Sequence, residues 1–259
     1  MNDTPSLRCA VVLVAAGSGQ RLGRGMPKAQ VRLGSDSILI HALRGIAAAG
    51  LTDQLCVVLP AGDQTLRTEA EEFAGERGIP LLLVDGGQTR NESVRNALEA
   101  LAALPSDPAQ GALGTVLVHD AARPLVPAEI FHRVLAALQG GALAVIPALA
   151  VVDTVKVAAP VLGHEMLTEQ VAGTPQREVL RAVQTPQGFR METLLNAHRA
   201  ADRLEAEAVT DDAMLLEAAG VPVYLVRGSE LSLKITTPLD LIVAEAFLEG
   251  PAAPRWVEG

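Results

Sequence analysis

Short aliphatic runs alternate with longer amphipathic stretches along most of the chain, and this alternation limits the fold more than any other feature. Residues 9–15, 55–59, 81–84, 115–118, 142–147 and 221–226 are short β-branched or aliphatic runs. Several lack polar alternation, the pattern of strands covered by helices on both faces. Amphipathic segments fall between them at 38–49, 65–76, 90–103, 127–139 and 191–204, with a short one after Thr210 running to 219 and a last one at 239–248. Gly50, Gly78, Gly140 and Gly220 stand where these helices would stop. The alternation predicts an α/β fold, a three-layer Rossmann-like and mainly parallel sheet.

Residues 151–189 break the rhythm. Two short strands are expected there, at 153–158 and 180–184, around a polar middle containing Thr168, Glu169, Gln170 and Gly173. We read this stretch as an extended β-arm protruding from a single domain at 7–249. Arms of this kind exchange between subunits, so a homodimer is expected. Residues 250–259 are expected to form a flexible tail.

Composition narrows the function. With 49% hydrophobic residues and a mean hydropathy of +0.28, the chain has ample material for a core and is not disordered as a whole. Only 2% of residues are aromatic, so base stacking on exposed rings has almost no material. A net charge of −9 argues against nucleic acid or anionic membranes as partners, and any bound phosphate must meet a local basic cluster. The longest apolar stretch, 141–152, is broken by Pro147 and falls short of the roughly 20 residues of a membrane span. No secretory signal is recognisable, and a cytoplasmic protein is expected. Cys9 and Cys56 sit inside apolar runs and read as buried thiols.

The first strand leads into Ala15-Ala16-Gly17-Ser18-Gly19-Gln20-Arg21-Leu22-Gly23, followed by Met26-Pro27-Lys28. A glycine-rich turn at the carboxyl end of a first strand lets backbone N–H groups approach a phosphate. The glycine spacing is neither a dinucleotide fingerprint nor a Walker loop. Two cations, Arg21 and Lys28, stand close to it, which suits a triphosphate and a leaving pyrophosphate.

The third strand exits into Asp85-Gly86-Gly87-Gln88-Thr89-Arg90-Asn91-Glu92-Ser93. The glycines allow close approach of a base or ribose, while Arg90 and Ser93 lie one helical turn apart. Thr89 and Glu92 have the spacing of a capping box. The fourth strand ends at His119-Asp120-Ala121-Ala122-Arg123-Pro124. Asp120 is the candidate Mg²⁺ ligand, whereas His119, among apolar neighbours, reads as a packed histidine. His41, His132, His164 and His198 share no ligand spacing and read as surface or packing residues. Later come Asp153-Thr154-Val155-Lys156, Thr174-Pro175-Gln176-Arg177, Gln184-Thr185-Pro186-Gln187-Gly188-Phe189, Thr210-Asp211-Asp212-Ala213 and Leu233-Lys234-Ile235-Thr236. Each sets a threonine or a cation at an element edge, as a second phosphorylated substrate requires, although Thr210 and Asp211 can also simply cap a helix.

Taken in order, these motifs resemble the 2-C-methyl-D-erythritol 4-phosphate cytidylyltransferase family from about residue 9 to 248. The resemblance implies a nucleotidyltransferase-type fold and a reaction joining CTP and 2-C-methyl-D-erythritol 4-phosphate with Mg²⁺, releasing pyrophosphate in non-mevalonate isoprenoid biosynthesis. It implies that Arg21 and Lys28 stabilise triphosphate charge in the transition state. Ala15, Ala16, Gly17, Gly19, Gly86, Arg90 and Ser93 would bind cytidine, and Asp120 with Arg123 would lie near metal and substrate. Thr154, Arg177, Thr185, Thr210 and Lys234 would hold the methylerythritol phosphate, with Arg177 reaching from the partner's arm; Arg177 and Lys234 count among the catalytic cations. Two departures stand out: Ala29-Gln30 follows Lys28 where the family has glutamine and an aromatic, and Gln176 precedes Arg177 where aspartate is usual.

The nearest alternative is a cytidylyltransferase for another polyol phosphate such as ribitol 5-phosphate, separable only on the acceptor side. A non-catalytic nucleotide-binding module would be expected to lack Arg21, Lys28 or Asp120, and all three are present. An NAD-dependent oxidoreductase fits poorly, because the second strand ends in Leu59-Pro60-Ala61-Gly62 with Asp63 only beyond it.

Overall fold

The computed structural model describes residues 8–19, 22–23, 25–105, 111–161, 169–201 and 211–250. Its strands are β1 (Arg8–Val14), β2 (Arg32–Leu33), β3 (Asp36–Ser37), β4 (Gln54–Leu59), β5 (Leu81–Asp85), β6 (Leu113–Asp120), β7 (Ala144–Ala150), β8 (Val157–Pro160), β9 (Glu169–Gly173), β10 (Arg181–Val183), β11 (Gln187–Arg190) and β12 (Val223–Arg227). The helices are α1 (Ile38–Ala49), α2 (Gln64–Arg77), α3 (Arg90–Ala102), α4 (Ala128–Gln139), α5 (Met191–Ala200), α6 (Asp212–Ala218) and α7 (Pro238–Glu249).

An eight-stranded sheet forms the middle layer, ordered β10-β7-β11-β6-β1-β4-β5, with β12 on β7 as well. The β1–β4, β1–β6, β4–β5 and β7–β12 pairs are parallel, whereas β10 and β11 run antiparallel to their neighbours. Side chains along β1 alternate between faces, which produces two cores. Cys9, Val11 and Leu13 pack with α1, α2 and α4, and Ala10 and Val12 pack with α3, α5 and α6. This is the expected three-layer, mainly parallel architecture.

Local chemistry sets the helix ends. The Ser37 hydroxyl accepts from the Ile40 amide at the start of α1, and Gly50 and Gly78 end α1 and α2 at φ 63° and 62°, where a Cβ would be strained. Gly140 instead has φ −70°.

Three features depart from the sequence expectation. Strand β11 was not anticipated, because Gln187, Gly188 and Arg190 give it little apolar signal. Gly188 is nonetheless buried so tightly that a Cβ there would lie 2.3 Å from Val134 Cγ1. Of the strand expected at 153–158 only residues 157 and 158 are extended, at the start of β8, which pairs with β9 in a separate two-stranded sheet. Residues 181–183 and 187–190, inside the 151–189 stretch, pair with the central sheet as β10 and β11. The helix residues expected at 202–204 and most of the tail lie outside the described residues.

A third, smaller core matters for function. Leu22, Val31, Leu33, Ile38, Leu125, Ile235, Leu241 and Ala244 pack the β2–β3 hairpin, the turn after β6 and α7 against one another. This packing fixes the segments carrying Lys28 and Lys234 on the same side of the sheet.

Candidate active site

Parallel strands end on one side of the sheet, so the loops after β1, β5 and β6 converge there. They enclose a cavity of about 400 Å³ lined by Ala15, Ala16, Gly17, Ser18, Lys28, Gly87, Gln88, Arg90, Ser93, Asp120 and Lys234 among others. The size suits a small-molecule ligand.

Glycine makes the close approaches possible. The Lys28 amide donates to the Gly17 carbonyl (3.2 Å), and a Cβ on Gly19, at φ +70°, would lie 3.0 Å from the Lys28 nitrogen. Gly19 therefore lets the lysine turn rest on the glycine loop. A Cβ on Gly86 would lie 2.4 Å from the Ala16 Cβ, so this glycine lets the second loop nest behind the first. It is Gly87, the next residue, that faces the cavity. The Ser93 hydroxyl donates to the Thr89 carbonyl (2.9 Å) and accepts from the Gly87 amide (3.1 Å), shaping the cavity wall. Thr89 caps α3 as expected. The Glu92 carboxylate accepts from the Gln88 amide (2.7 Å) rather than from Thr89, so the reciprocal half of the box is displaced by one residue.

Charge is concentrated on the cavity floor. Asp120 is 7% exposed, and its oxygens accept from Arg90 Nε (3.1 Å) and Lys234 Nζ (2.7 Å). Burial alone would raise its pKa, but these cations outweigh it and hold the carboxyl well below the usual range. Arg90 Nη1 also donates to Asp212 (2.7 Å), which is fully buried and meets His198 Nε2 on its other oxygen (3.1 Å). Burial works against Arg90's charge, yet Asp212 and Asp120 push its pKa above the ordinary value. The result is a chain of alternating charge from Lys234 to Asp120, Arg90 and Asp212, with His198 hydrogen-bonded at its end.

Other expected residues stand behind the cavity. The Thr185 hydroxyl accepts from the Asp120 amide (3.1 Å) and lies 2.8 Å from His119 Nδ1. His119 is buried edge-on to Phe131, and burial pushes its pKa down to about 4, so it is a neutral packed histidine. Arg123 donates to the carbonyls of Ser232 (2.6 Å) and Val183 (3.2 Å), which joins the Lys234 segment to β10. Thr154 and Arg177 are exposed and away from the cavity; Arg177 donates to the Val152 carbonyl (2.9 Å). Arg21 and Thr210 lie outside the described residues.

The sequence reading missed Asp212. Asp211 beside it caps α6 by accepting from the Met214 amide (3.0 Å), as expected. Nothing local distinguishes the two aspartates; only the contact with Arg90, distant in sequence, gives Asp212 its role.

No group of three or more side chains able to hold a metal occurs among the described residues. Asp120 is a single carboxylate flanked by cations, a donor set that fits a metal held mostly by substrate phosphates and water.

The model of the IspD family, 2-C-methyl-D-erythritol 4-phosphate cytidylyltransferase, matches residues 9–250. A protein of that name from Streptomyces coelicolor is 44% identical over 242 residues, covering 93% of this chain and 85% of its own. One from Nocardia farcinica is 44% identical over 98% of this chain and 100% of its own. The crystal structure of the Thermus thermophilus enzyme is 34% identical with a TM-score of 0.70, covering 94% of this chain and 100% of that one. With the family model spanning nearly the whole chain and the charged cavity at the carboxyl edge of the sheet, the chain belongs to the 2-C-methyl-D-erythritol 4-phosphate cytidylyltransferase family.

Proposed function

We infer that the cavity houses the family's reaction, with Lys28, Arg90, Asp120 and Lys234 as its charged machinery. The chain is a nucleotidyltransferase that moves the cytidylyl group of CTP to 2-C-methyl-D-erythritol 4-phosphate in isoprenoid biosynthesis. An acceptor phosphate oxygen bonds to the α-phosphorus, and the bond to the β-phosphate breaks, its electron pair leaving with pyrophosphate. That nucleophile is already anionic, so catalysis reduces to alignment and charge stabilisation. The observation carrying this reading is the set of three cations, Lys28, Arg90 and Lys234, gathered in one cavity of a chain whose net charge is −9. His119, buried outside the cavity lining and made a weaker base by that burial, agrees with a site that needs no general base.

In this arrangement Ala15, Ala16, Gly17, Gly87 and Ser93 receive the nucleotide and Lys28 meets its triphosphate; Arg21, outside the described residues, is given the same task on its match to the family motif. Asp120 would anchor Mg²⁺ together with phosphate oxygens. When bound, the ion supplies further charge neutralisation on the triphosphate. Lys234 meets the acceptor phosphate, and Thr185 and Arg123 fix the backbone around it. Thr154 and Arg177, exposed beside the β8–β9 hairpin, serve the site of a second copy, which makes the working unit a homodimer; sedimentation at micromolar concentration is expected to give a dimer, and a monomer would count against it. We also assign the chain to the cytoplasm, a reading supported by the unpaired thiols of Cys9 and Cys56.

The test is pyrophosphate release from CTP, Mg²⁺ and 2-C-methyl-D-erythritol 4-phosphate by Lys28→Met and Lys234→Met. Each is expected to lower kcat by about 10²- to 10³-fold. Parental rates in either would remove that residue from the machinery.

A further inference from the structure

We infer that Gln30 and Asp63 form a strut that sets where Lys28 stands, making both positioning residues for the transfer reaction. The inference rests on the reading of Lys28 as a triphosphate cation.

Lys28, Ala29 and Gln30 make a single turn of 3-10 helix with no side-chain cap at Pro27. Two backbone bonds close it, Gln30 N–H to the Pro27 carbonyl (3.0 Å) and Val31 N–H to the Lys28 carbonyl (3.1 Å). So short a turn has little stability of its own, and its orientation depends on what its side chains grip. The three side chains point to three different surroundings. Lys28 lines the cavity, Ala29 is 2% exposed in the core beneath α1, and Gln30 turns toward the loop between β4 and α2. There its amide nitrogen lies 2.9 and 2.8 Å from the two oxygens of Asp63.

Asp63 is itself fixed. Its carboxylate accepts from the Leu66 amide (3.1 Å) as the N-cap of α2, and its own amide donates to the Pro60 carbonyl (3.1 Å). A small alanine and a donor amide have different tasks here: Ala29 admits the turn to the core, and Gln30 ties it by charge-assisted hydrogen bonds to a helix N-terminus. The strut crosses from the glycine-loop side of the cavity to the segment 60–63, which starts at the end of β4 beside β1. With Lys28 held from Gly17 on one flank and through Gln30 on the other, its backbone has little room to shift. This gives the departure from the family pattern at Ala29-Gln30 a physical meaning.

The experiment is a double-mutant cycle on the full-length protein, measuring pyrophosphate release from CTP and Mg²⁺ with 2-C-methyl-D-erythritol 4-phosphate as acceptor. Gln30→Leu keeps the volume and removes the donor; Asp63→Asn keeps the helix cap and removes the charge. A displaced catalytic group costs up to about 10²-fold, so Gln30→Leu is expected to lower kcat/KM for CTP by about 10- to 100-fold, with Asp63→Asn in the same direction and smaller. In a Lys28→Met background Gln30→Leu is expected to add less than about twofold, because the lysine through which it acts is gone. A parental kcat/KM for Gln30→Leu overturns the strut. So does an equal loss in both backgrounds, the behaviour of a residue that only supports folding. If Lys28→Met itself retains parental activity, the reading of Lys28 falls and takes the strut's catalytic role with it. If Lys28→Met is crippled while Gln30→Leu is not, the strut fails alone.

Discussion

Replacing Asp212 by asparagine removes one negative charge at almost constant volume. In the folded protein that charge is fully buried, 2.7 Å from Arg90 and 3.1 Å from His198. Burial pushes the Asp212 pKa upward, but Arg90 and His198 reverse the balance and hold it below the ordinary value. After the substitution Arg90 keeps Asp120 as its one anionic partner among the described residues, and the Arg90 guanidinium is left partly uncompensated. Breaking a buried pair by removing one member costs about 3–5 kcal/mol, and the amide oxygen that remains puts the expected loss near the lower end, about 3 kcal/mol. For a chain of this size that is a fall in Tm of about 6–12 °C. Urea unfolding followed by circular dichroism measures the loss, and KM for CTP, expected to rise, reports the displacement of Arg90. Asp211→Asn is the control, since it removes the neighbouring charge, keeps an oxygen to cap α6 at the Met214 amide and leaves an amide that can still pair with Gln187, and it should cost no more than about 1 kcal/mol. If Asp212→Asn costs no more than Asp211→Asn, the buried charge chain is not what holds this region.

Acid should expose His119. Its folded pKa is pushed down to about 4 from 6.5, so between those values the unfolded chain binds a proton that the folded one refuses, and stability falls as pH falls. The slope is about 1.4 kcal/mol per pH unit and the total about 3 kcal/mol; an undiminished slope in His119→Gln would contradict this. Asp120 and Asp212, whose folded pKa values are depressed below 3.8, stabilise the fold above the ordinary carboxylate range and lose that contribution only at lower pH. Gly86→Ala should force apart the loops after β1 and β5, because its Cβ would stand 2.4 Å from that of Ala16. A KM for CTP raised by about tenfold or more is expected, and an unchanged KM would show that the loops separate freely.

What the sequence revealed depended on how local the cause was. The α1 segment 38–49 and its Gly50 stop were legible because periodicity and a cap residue act within a few positions. The glycine loop and Asp120 were legible because they follow strands directly. Strand β11 was not, since Gln187 and Gly188 are buried by α4 and β6 rather than by any pattern of their own. Thr185 and Arg123 were expected near substrate; the folded chain adds that both hold backbone, contacts set by neighbours far away in sequence. Asp212 stayed hidden for the same reason, because its partner Arg90 lies in another helix, 122 residues away in sequence. Gly86 and Gly87 were both visible as glycines, but only the folded loop shows which one faces the cavity.

The most direct test of the function is pyrophosphate release from CTP and Mg²⁺ with either 2-C-methyl-D-erythritol 4-phosphate or ribitol 5-phosphate as acceptor. Rapid release with the first and little with the second is the predicted result. Release only with ribitol 5-phosphate would contradict the acceptor assignment, and no release with either would contradict the transfer reaction itself.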